Sequence, residues 1–150
     1  MIVVRVQAED FDYAAEMAAL RMRAAGAGAL VGFTGLMRDM HDGARLTAMT
    51  LEHYPGMAER QLTELAQTAA QRWPLLGITI LHRHGRLTPG DQIVLVGTAS
   101  AHRQAAFEAA QFLMDWLKTK APFWKLEESQ DRRHWVAAHS TDVAAAERWE

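Results

Sequence analysis

The sequence predicts an α+β domain in which helices and strands pack in two layers. Some predicted strands follow one another directly and others are separated by a helix, which is the mixed order typical of this class. The hydrophobic share of 49% and the charged share of 23% are those of an ordinary globular protein. Because 150 residues suffice for one sizeable core, we expect a single domain over residues 1–150.

The N-terminal half is predicted to contain three strands and a helix. A short strand runs from Ile2 to Val6, and a helix capped by Asp10 follows. Gly26 and Gly28 end this helix, after which "ALVGFTGLMRD" is typical of a buried strand running into a glycine turn. Alternation of residues between 46 and 54 predicts another strand with one buried face.

The C-terminal half is predicted to contain three helices and two strands. Pro55 begins a helix over "GMAERQLTELAQTAAQRW", which stops before Pro74. The strands "GITILHRHGRL" and "DQIVLVGTAS" are joined through a turn at residues 89–91. The long helix "AHRQAAFEAAQFLMDWLKTKA" must end at about Lys120, because the ring of Pro122 clashes with the carbonyl four residues earlier. A short helix is predicted in "STDVAAAERWE".

Composition excludes several kinds of function. A formal net charge of -2 provides no basic surface for nucleic acid. The chain has no cysteine, so disulfides, thiolate metal sites and cysteine nucleophiles are excluded, and any reacting sulfur must be brought in. No stretch is long enough for a membrane span or resembles a signal peptide, so we expect a cytoplasmic protein with no membrane contact.

The stretch "LKTKAPFWKLE" places three lysines around a proline and two large aromatic residues. Lys118 and Lys125 converge on one ligand if the turn at Pro122 allows it, and Phe123 and Trp124 offer surface for a pocket wall or a partner. The alternative is a helix end at which lysines complement the helix dipole and the aromatic rings fold back into the core.

Two further segments suggest an anion site. Ser100, His102 and Arg103 lie where a buried strand passes into a helix, and a helix N-terminus presents free N–H groups to an anion. Arg38 follows Gly35 at a strand end, and its planar guanidinium suits phosphate. The alternative is that Ser100 is a simple helix cap and both arginines are solvated.

The histidines offer weaker signals. His82 and His84 share one face of a predicted strand, but no third ligand is evident and ordinary strand residues are the better interpretation. Glu52 and His53 are adjacent in a strand and therefore face opposite ways, which favours a structural role over an acid–base pair. We expect no metal site.

Longer segments carry a family resemblance. "TLEHYPGMAE", "HRHGRLTPGDQIVLVGTASAHR" and "AAFEAAQFLMDWLKTKAPFWKLE", in this order, resemble the large, catalytic subunit of molybdopterin synthase, the MoaE family. "VGFTGLMRD" fits an earlier segment of that family, and residues 134–136 fit a C-terminal element. The resemblance extends from about Gly28 to Glu127, and three long segments in order are far more specific than one motif.

The resemblance implies an α/β-hammerhead domain with an additional antiparallel β subdomain. It also implies a sulfurtransferase of molybdenum cofactor biosynthesis that converts cyclic pyranopterin monophosphate (precursor Z) to molybdopterin, with no bound cofactor. The sulfur arrives as a thiocarboxylate on the C-terminal Gly-Gly of a small ubiquitin-like subunit. The implied assembly is a homodimer of this chain within a heterotetramer.

Carrying over the family's site residue by residue gives a defined set of expected ligand contacts, with Lys118 and Lys125 as the catalytic pair. The positions in this sequence are Leu36, Met37, Arg38, His102, Arg103, Lys118, Lys125, Leu126 and Glu127. The family often has a basic residue where this chain has Leu36, so one contact of that loop is absent or made by backbone.

The resemblance also implies roles. Arg38, His102 and Arg103 bind the cyclic phosphate, and Lys118, with its pKa lowered by cationic neighbours, acts as general acid or base. Lys125 holds the thiocarboxylate tail or a substrate anion. Glu127 orients a lysine, while the aromatic pair at 123 and 124 walls the channel for the tail.

Two other functions fit the same residues. One is a phosphate-metabolite enzyme that uses Lys118 or Lys125 as a Schiff-base amine. The other is a non-catalytic module that captures the extended tail of a partner through the "APFWK" region.

Overall fold

The computed structural model describes residues 1–120, 122–130, 132–137 and 140–150, without the side chain of Ser140. The elements of the first half are β1 (Ile2–Gln7), α1 (Tyr13–Arg23), β2 (Ala29–Leu36), β3 (Met40–His41), β4 (Ala44–His53) and α2 (Met57–Arg72). Those of the second half are β5 (Leu75–Arg83), β6 (Gly85–Leu87), β7 (Gln92–Ser100), α3 (Arg103–Lys120), β8 (Phe123–Ser129), β9 (Arg133–Val136) and α4 (Ser140–Glu147).

The first sheet has four strands in the order β1-β5-β7-β2. β1 and β5 are parallel, and the other neighbours are antiparallel. Ile80 and Val96, on one face of β5 and β7, pack with Leu62 of α2 and Leu113 of α3 in the main core. The apolar faces of these two helices therefore cover this side of the sheet.

The other face of this sheet is covered by α1. Leu20 packs so closely on the sheet that a Cβ at Gly77 would lie 2.8 Å from its Cδ1, and a Cβ at Gly97 would lie 2.9 Å from its Cδ2. The expected two layers are thus wrong in one respect, since helices lie on both faces. The physical reason is that β5 and β7 bury residues on both of their faces along most of their length, so each face of the sheet needs a covering layer.

The cap of α1 differs from the expectation. Asp12 Oδ1 accepts a hydrogen bond of 3.0 Å from the Ala15 amide, so Asp12 is the N-cap. The carboxylate of Asp10 instead accepts from the Phe11 amide and from the side chain of Gln92. A cap prediction from residue type alone was therefore two positions early.

The second sheet is antiparallel and has the order β3-β4-β8-β9. β6 also pairs with β4, on the edge of β4 that faces away from β8. The segment predicted as one strand, "GITILHRHGRL", is divided between the sheets, because β5 ends at Arg83 and β6 begins at Gly85. Gly85 has φ of +90°, a conformation that L side chains rarely adopt. This change of sheet at residue 84 joins the two sheets.

The predicted α+β class is confirmed, and the second sheet is the additional antiparallel structure that the resemblance implies. α3 ends at Lys120 as expected from Pro122. Among the helices of the described residues, none is long and apolar enough to cross a bilayer.

Candidate functional site

A pocket of about 490 Å³ opens where the C-terminal end of α3 meets the second sheet. Three cationic side chains, which come from different elements of the fold, line this pocket. Two histidines and Phe123 are also part of its lining. The residues that matter for its chemistry are Arg38, His41, His82, Lys118, Phe123 and Lys125. A small anion is the ligand that this concentration of positive charge favours.

Lys118 occupies the last turn of α3 and remains accessible to solvent. Desolvation by the surrounding protein lowers its pKa, and the positive charges of Lys125 and Arg38 lower it further, against the opposing effect of Asp142. Loss of a proton from this ammonium is therefore easier than from an ordinary lysine, as proton transfer requires.

β8 carries the second lysine into the pocket. Because side chains alternate along a strand, Phe123, Lys125 and Glu127 share the face that is turned to the pocket. Glu127 is 2% exposed, and its Oε2 lies 3.8 Å from Lys125 Nζ, which is an ion pair longer than a hydrogen bond. Its Oε1 lies 2.6 Å from His41 Nδ1.

His82 forms part of the pocket wall. His82 is 7% exposed, and its ring stacks on Phe123 with ring centroids 3.8 Å apart and an interplanar angle of 13°. Burial lowers the pKa of His82 to about 4, assisted by the positive charge of Lys118 and opposed by a hydrogen bond with the Arg83 carbonyl. The imidazole is therefore neutral near pH 7, and Nδ1 donates to that carbonyl at 2.8 Å.

The expected contact segment 36–38, at the end of β2, contributes only one of its three side chains to the pocket. Arg38 lines it, whereas Met37 is buried and Leu36 is 53% exposed outside it. The Met37 amide donates to the Asp91 carbonyl at 2.8 Å, and its carbonyl accepts from the Gly90 amide at 2.9 Å. These bonds anchor the loop that presents Arg38.

Two residues that the sequence analysis singled out lie on β8 but do not face the pocket. Leu126 faces away from Lys125 and pairs across the sheet with Thr50 and Trp135. Trp124 also lies on the opposite face, is 47% exposed, and contacts Tyr54 edge to face at 5.2 Å between ring centroids. Of the aromatic pair, Phe123 alone lines the pocket.

The pair His102 and Arg103 lies at the opposite end of α3 from Lys118. Both are exposed, and Arg103 and Lys118 are fifteen positions apart in one helix. At a rise of roughly 1.5 Å per residue this is about 22 Å. The expectation that these side chains share one pocket with Lys118 is therefore wrong within a single chain. Ser100 is not a cap, because its hydroxyl donates to the Pro74 carbonyl.

Sequence reasoning missed several pocket residues. His41 lies in the two-residue strand β3, and Asp142 comes from α4, far along the chain. The sequence pattern marks His82 only as half of a possible metal pair with His84. In the part of the chain that the structure describes, no group of three or more His, Cys, Asp or Glu side chains is arranged to hold a metal ion. The "MH" of β3 is too short to show any periodicity, so no signal in the sequence marked His41.

The fold and the pocket together define an α+β protein in which Arg38, Lys118 and Lys125 line one pocket. A family model described as "MoaE protein" matches residues 6–120. The molybdopterin synthase catalytic subunit of Mesorhizobium japonicum is 58% identical over 148 residues, covering 97% of this chain and 92% of that one. The subunit of the same name from Pseudomonas aeruginosa is 54% identical over 149 residues, covering 99% of each chain.

A solved structure shares the fold. The molybdopterin biosynthesis MoaE protein from Burkholderia ambifaria has a TM-score of 0.85 and 51% identity, covering 99% of this chain and 98% of that one. The chain belongs to the MoaE family. It is therefore an enzyme subunit of molybdopterin cofactor biosynthesis.

Proposed function

We propose that this chain is the catalytic subunit of a molybdopterin synthase, acting as a single domain in the cytoplasm. Its substrate is cyclic pyranopterin monophosphate, which it converts to molybdopterin by sulfur transfer. A small ubiquitin-like subunit supplies the two sulfurs from its thiocarboxylated C-terminal Gly-Gly. The names of the relatives at 58% and 54% identity support this function.

The observation that carries the proposal is the meeting of Arg38, Lys118 and Lys125 in one pocket. A guanidinium binds a cyclic phosphate through charge-assisted hydrogen bonds. Lys118, with its lowered pKa, transfers a proton as the thiocarboxylate sulfur bonds to a substrate carbon and a substrate oxygen leaves. Water then cleaves the bond between this sulfur and the acyl carbon of the small subunit, which is released with an ordinary carboxylate. Lys125 holds the thiocarboxylate or a substrate anion, and Phe123 borders the path of the narrow glycine tail.

His102 and Arg103 belong to this proposal only through a second copy of the chain. They lie about 22 Å along α3 from Lys118, which is too far for one small ligand to contact both ends. In the homodimer that we propose, the N-terminal end of α3 from one chain reaches the pocket of the other. The two residues then bind the phosphate together with Arg38.

Reconstitution tests the proposed reaction. Purified chain, thiocarboxylated partner and cyclic pyranopterin monophosphate should form molybdopterin, whose dithiolene is detected after conversion to a fluorescent derivative. The control is the same partner ending in an ordinary carboxylate, which carries no transferable sulfur. Absence of product with the thiocarboxylate would refute the proposal, and borohydride trapping of a lysine adduct would favour the Schiff-base enzyme instead.

Complementation tests the shared site. Variants Arg103→Ala and Lys118→Ala should each be inactive or weak alone. After mixing and subunit exchange, a dimer with one chain of each kind has one intact pocket, so activity should return. Mixtures that stay as weak as the separate variants would place both residues in sites that are not shared between chains.

A further inference from the structure

His41 lines the pocket but was not in the predicted site. It comes from β3, which pairs with the start of β4 so that His41 lies opposite Ala44. Its Nδ1 lies 2.6 Å from Oε1 of Glu127, which β8 brings to the pocket. Two strands that are distant in sequence thus meet at one short hydrogen bond beside Lys125.

Glu127 needs a fixed partner because of its burial. Its side chain is 3% exposed, and a carboxylate withdrawn from water is costly unless it is hydrogen-bonded or paired. The distance from His41 is that of a strong, charge-assisted bond. His134 Nε2 at 3.7 Å and Lys125 Nζ at 3.8 Å lie beyond hydrogen-bond distance.

The two oxygens of this carboxylate therefore have different neighbours. His41 and, at greater distance, His134 face Oε1, whereas Lys125 faces Oε2. Rotation of the carboxylate or a small shift of its side chain would bring Oε2 to hydrogen-bond distance from Lys125. The bond to His41 opposes that movement, since it fixes the other oxygen.

We propose that His41 is a positioning residue for Lys125 and acts through Glu127. By holding Oε1, it keeps Oε2 at ion-pair distance from Lys125, so that the ammonium is steered into the pocket while its N–H donors stay available to the ligand. The inference rests on the proposed function in one respect, namely that Lys125 contacts the reacting ligands.

Four variants test this inference in the assembled enzyme. His41→Ala removes the bond, and His41→Asn keeps a neutral N–H donor close to the position of Nδ1. Glu127→Gln removes the charge that steers Lys125. Asp42→Asn is the matched control, because Asp42 contacts the outer nitrogen of His41 at 3.5 Å, is 84% exposed, and has φ of +50°, which asparagine tolerates.

Kinetics provide the first measurement. We expect His41→Ala to lower kcat by about tenfold to a hundredfold, as misplacement of a catalytic group does, with a smaller change in KM. His41→Asn should recover most of that loss, and Asp42→Asn should match the wild type. The double variant of His41→Ala with Glu127→Gln should be no slower than Glu127→Gln alone, because both act on one contact.

The NMR signal of Lys125 provides a second measurement that needs no turnover. After reductive ¹³C-methylation, with Lys125→Arg used for assignment, the methyl signal of Lys125 should move in His41→Ala, where the carboxylate closes on the amine. It should move in the opposite direction in Glu127→Gln, where no charged carboxylate faces the amine. His41→Asn should give the wild-type signal.

The outcomes separate the two proposals. An unchanged kcat, or an unchanged Lys125 methyl signal in His41→Ala, would overturn the positioning role. If the wild type formed no molybdopterin in the reconstitution, the proposed function would fail, and the Lys125 signal would still decide whether His41 acts through Glu127.

Discussion

The two sheets of the molecule have different roles, because the first forms the main core and the second contributes residues to the pocket. In the four-stranded sheet, β5 and β7 are buried along most of their length, and helices cover both faces. In the second sheet, β8 alternates between a pocket face with Lys125 and an outer face with the exposed Trp124. The first sheet fixes the position of the C-terminal end of α3, which carries Lys118, and the second sheet brings further charged groups to that end. Substitutions in the core that packs on the first sheet should therefore change stability, and those of residues lining the pocket should change activity.

The largest expected effect is on stability, from Phe112→Ala in α3. Phe112 is 1% exposed and lies among Trp73, Trp116 and Trp149 with ring centroids 5.2 to 6.2 Å away. Loss of this ring should lower the free energy of unfolding by about 3–5 kcal/mol, measured by urea denaturation. Phe107→Ala is the control in the same helix, since Phe107 is 62% exposed and should change stability by less than about 0.5 kcal/mol. Equal effects of the two would contradict the assignment of the core.

The next effect is on activity, from Lys118→Ala. We expect the rate of molybdopterin formation to fall by about a hundredfold or more, the usual contribution of a positioned acid or base, with unfolding little changed. Lys120→Ala is the matched control, because Lys120 lies outside this pocket and contacts Glu150 and the ring of Trp116. A correctly folded Lys118→Ala enzyme that binds its partner and turns over at the native rate would end the proposed role.

The same division explains what the sequence could predict. β5, β7 and α3 were found because continuous apolar runs and a helical apolar stripe are strong signals. β8 was missed because its pocket face carries Phe123, Lys125 and Glu127, so apolar and polar residues do not alternate between faces. A strand that serves a charged pocket loses the pattern by which strands are recognised.

Prediction of the site had a different limit. The chemistry of helix ends indicated Lys118 and Arg103 as separate candidates, and the family resemblance assigned both to one site. Neither argument shows that a single helix holds the two residues about 22 Å apart. The distance follows from the unbroken length of α3. His41 and Asp142 enter the pocket through tertiary packing alone, which local sequence does not encode.

A third prediction concerns pH and the junction between the sheets. In the folded chain the pKa of His82 is lowered from 6.5 to about 4, so the unfolded chain binds this proton more readily between those values. Stability is therefore unaffected by this group above about pH 6.5 and is lost as the pH falls toward 4, by about 2–3 kcal/mol. His82→Gln should flatten this part of the pH dependence of unfolding. Parallel curves for the variant and the wild type would show that His82 is not buried in its neutral form.

The smallest effect should come from Arg38→Ala, which separates binding from chemistry within the pocket. Arg38 is exposed at the pocket and is assigned to the phosphate, so its loss should raise KM about tenfold, the loss expected for one hydrogen bond to a charged group, with kcat nearly unchanged. Arg45→Ala is the control, because Arg45 is an exposed arginine of β4 that pairs with Asp39 at 3.3 Å outside the pocket. A fall in kcat at constant KM would assign Arg38 to the transition state and not to phosphate binding. That result would also move the phosphate toward the two residues at the other end of α3, which a second chain brings to this pocket in the homodimer that we propose.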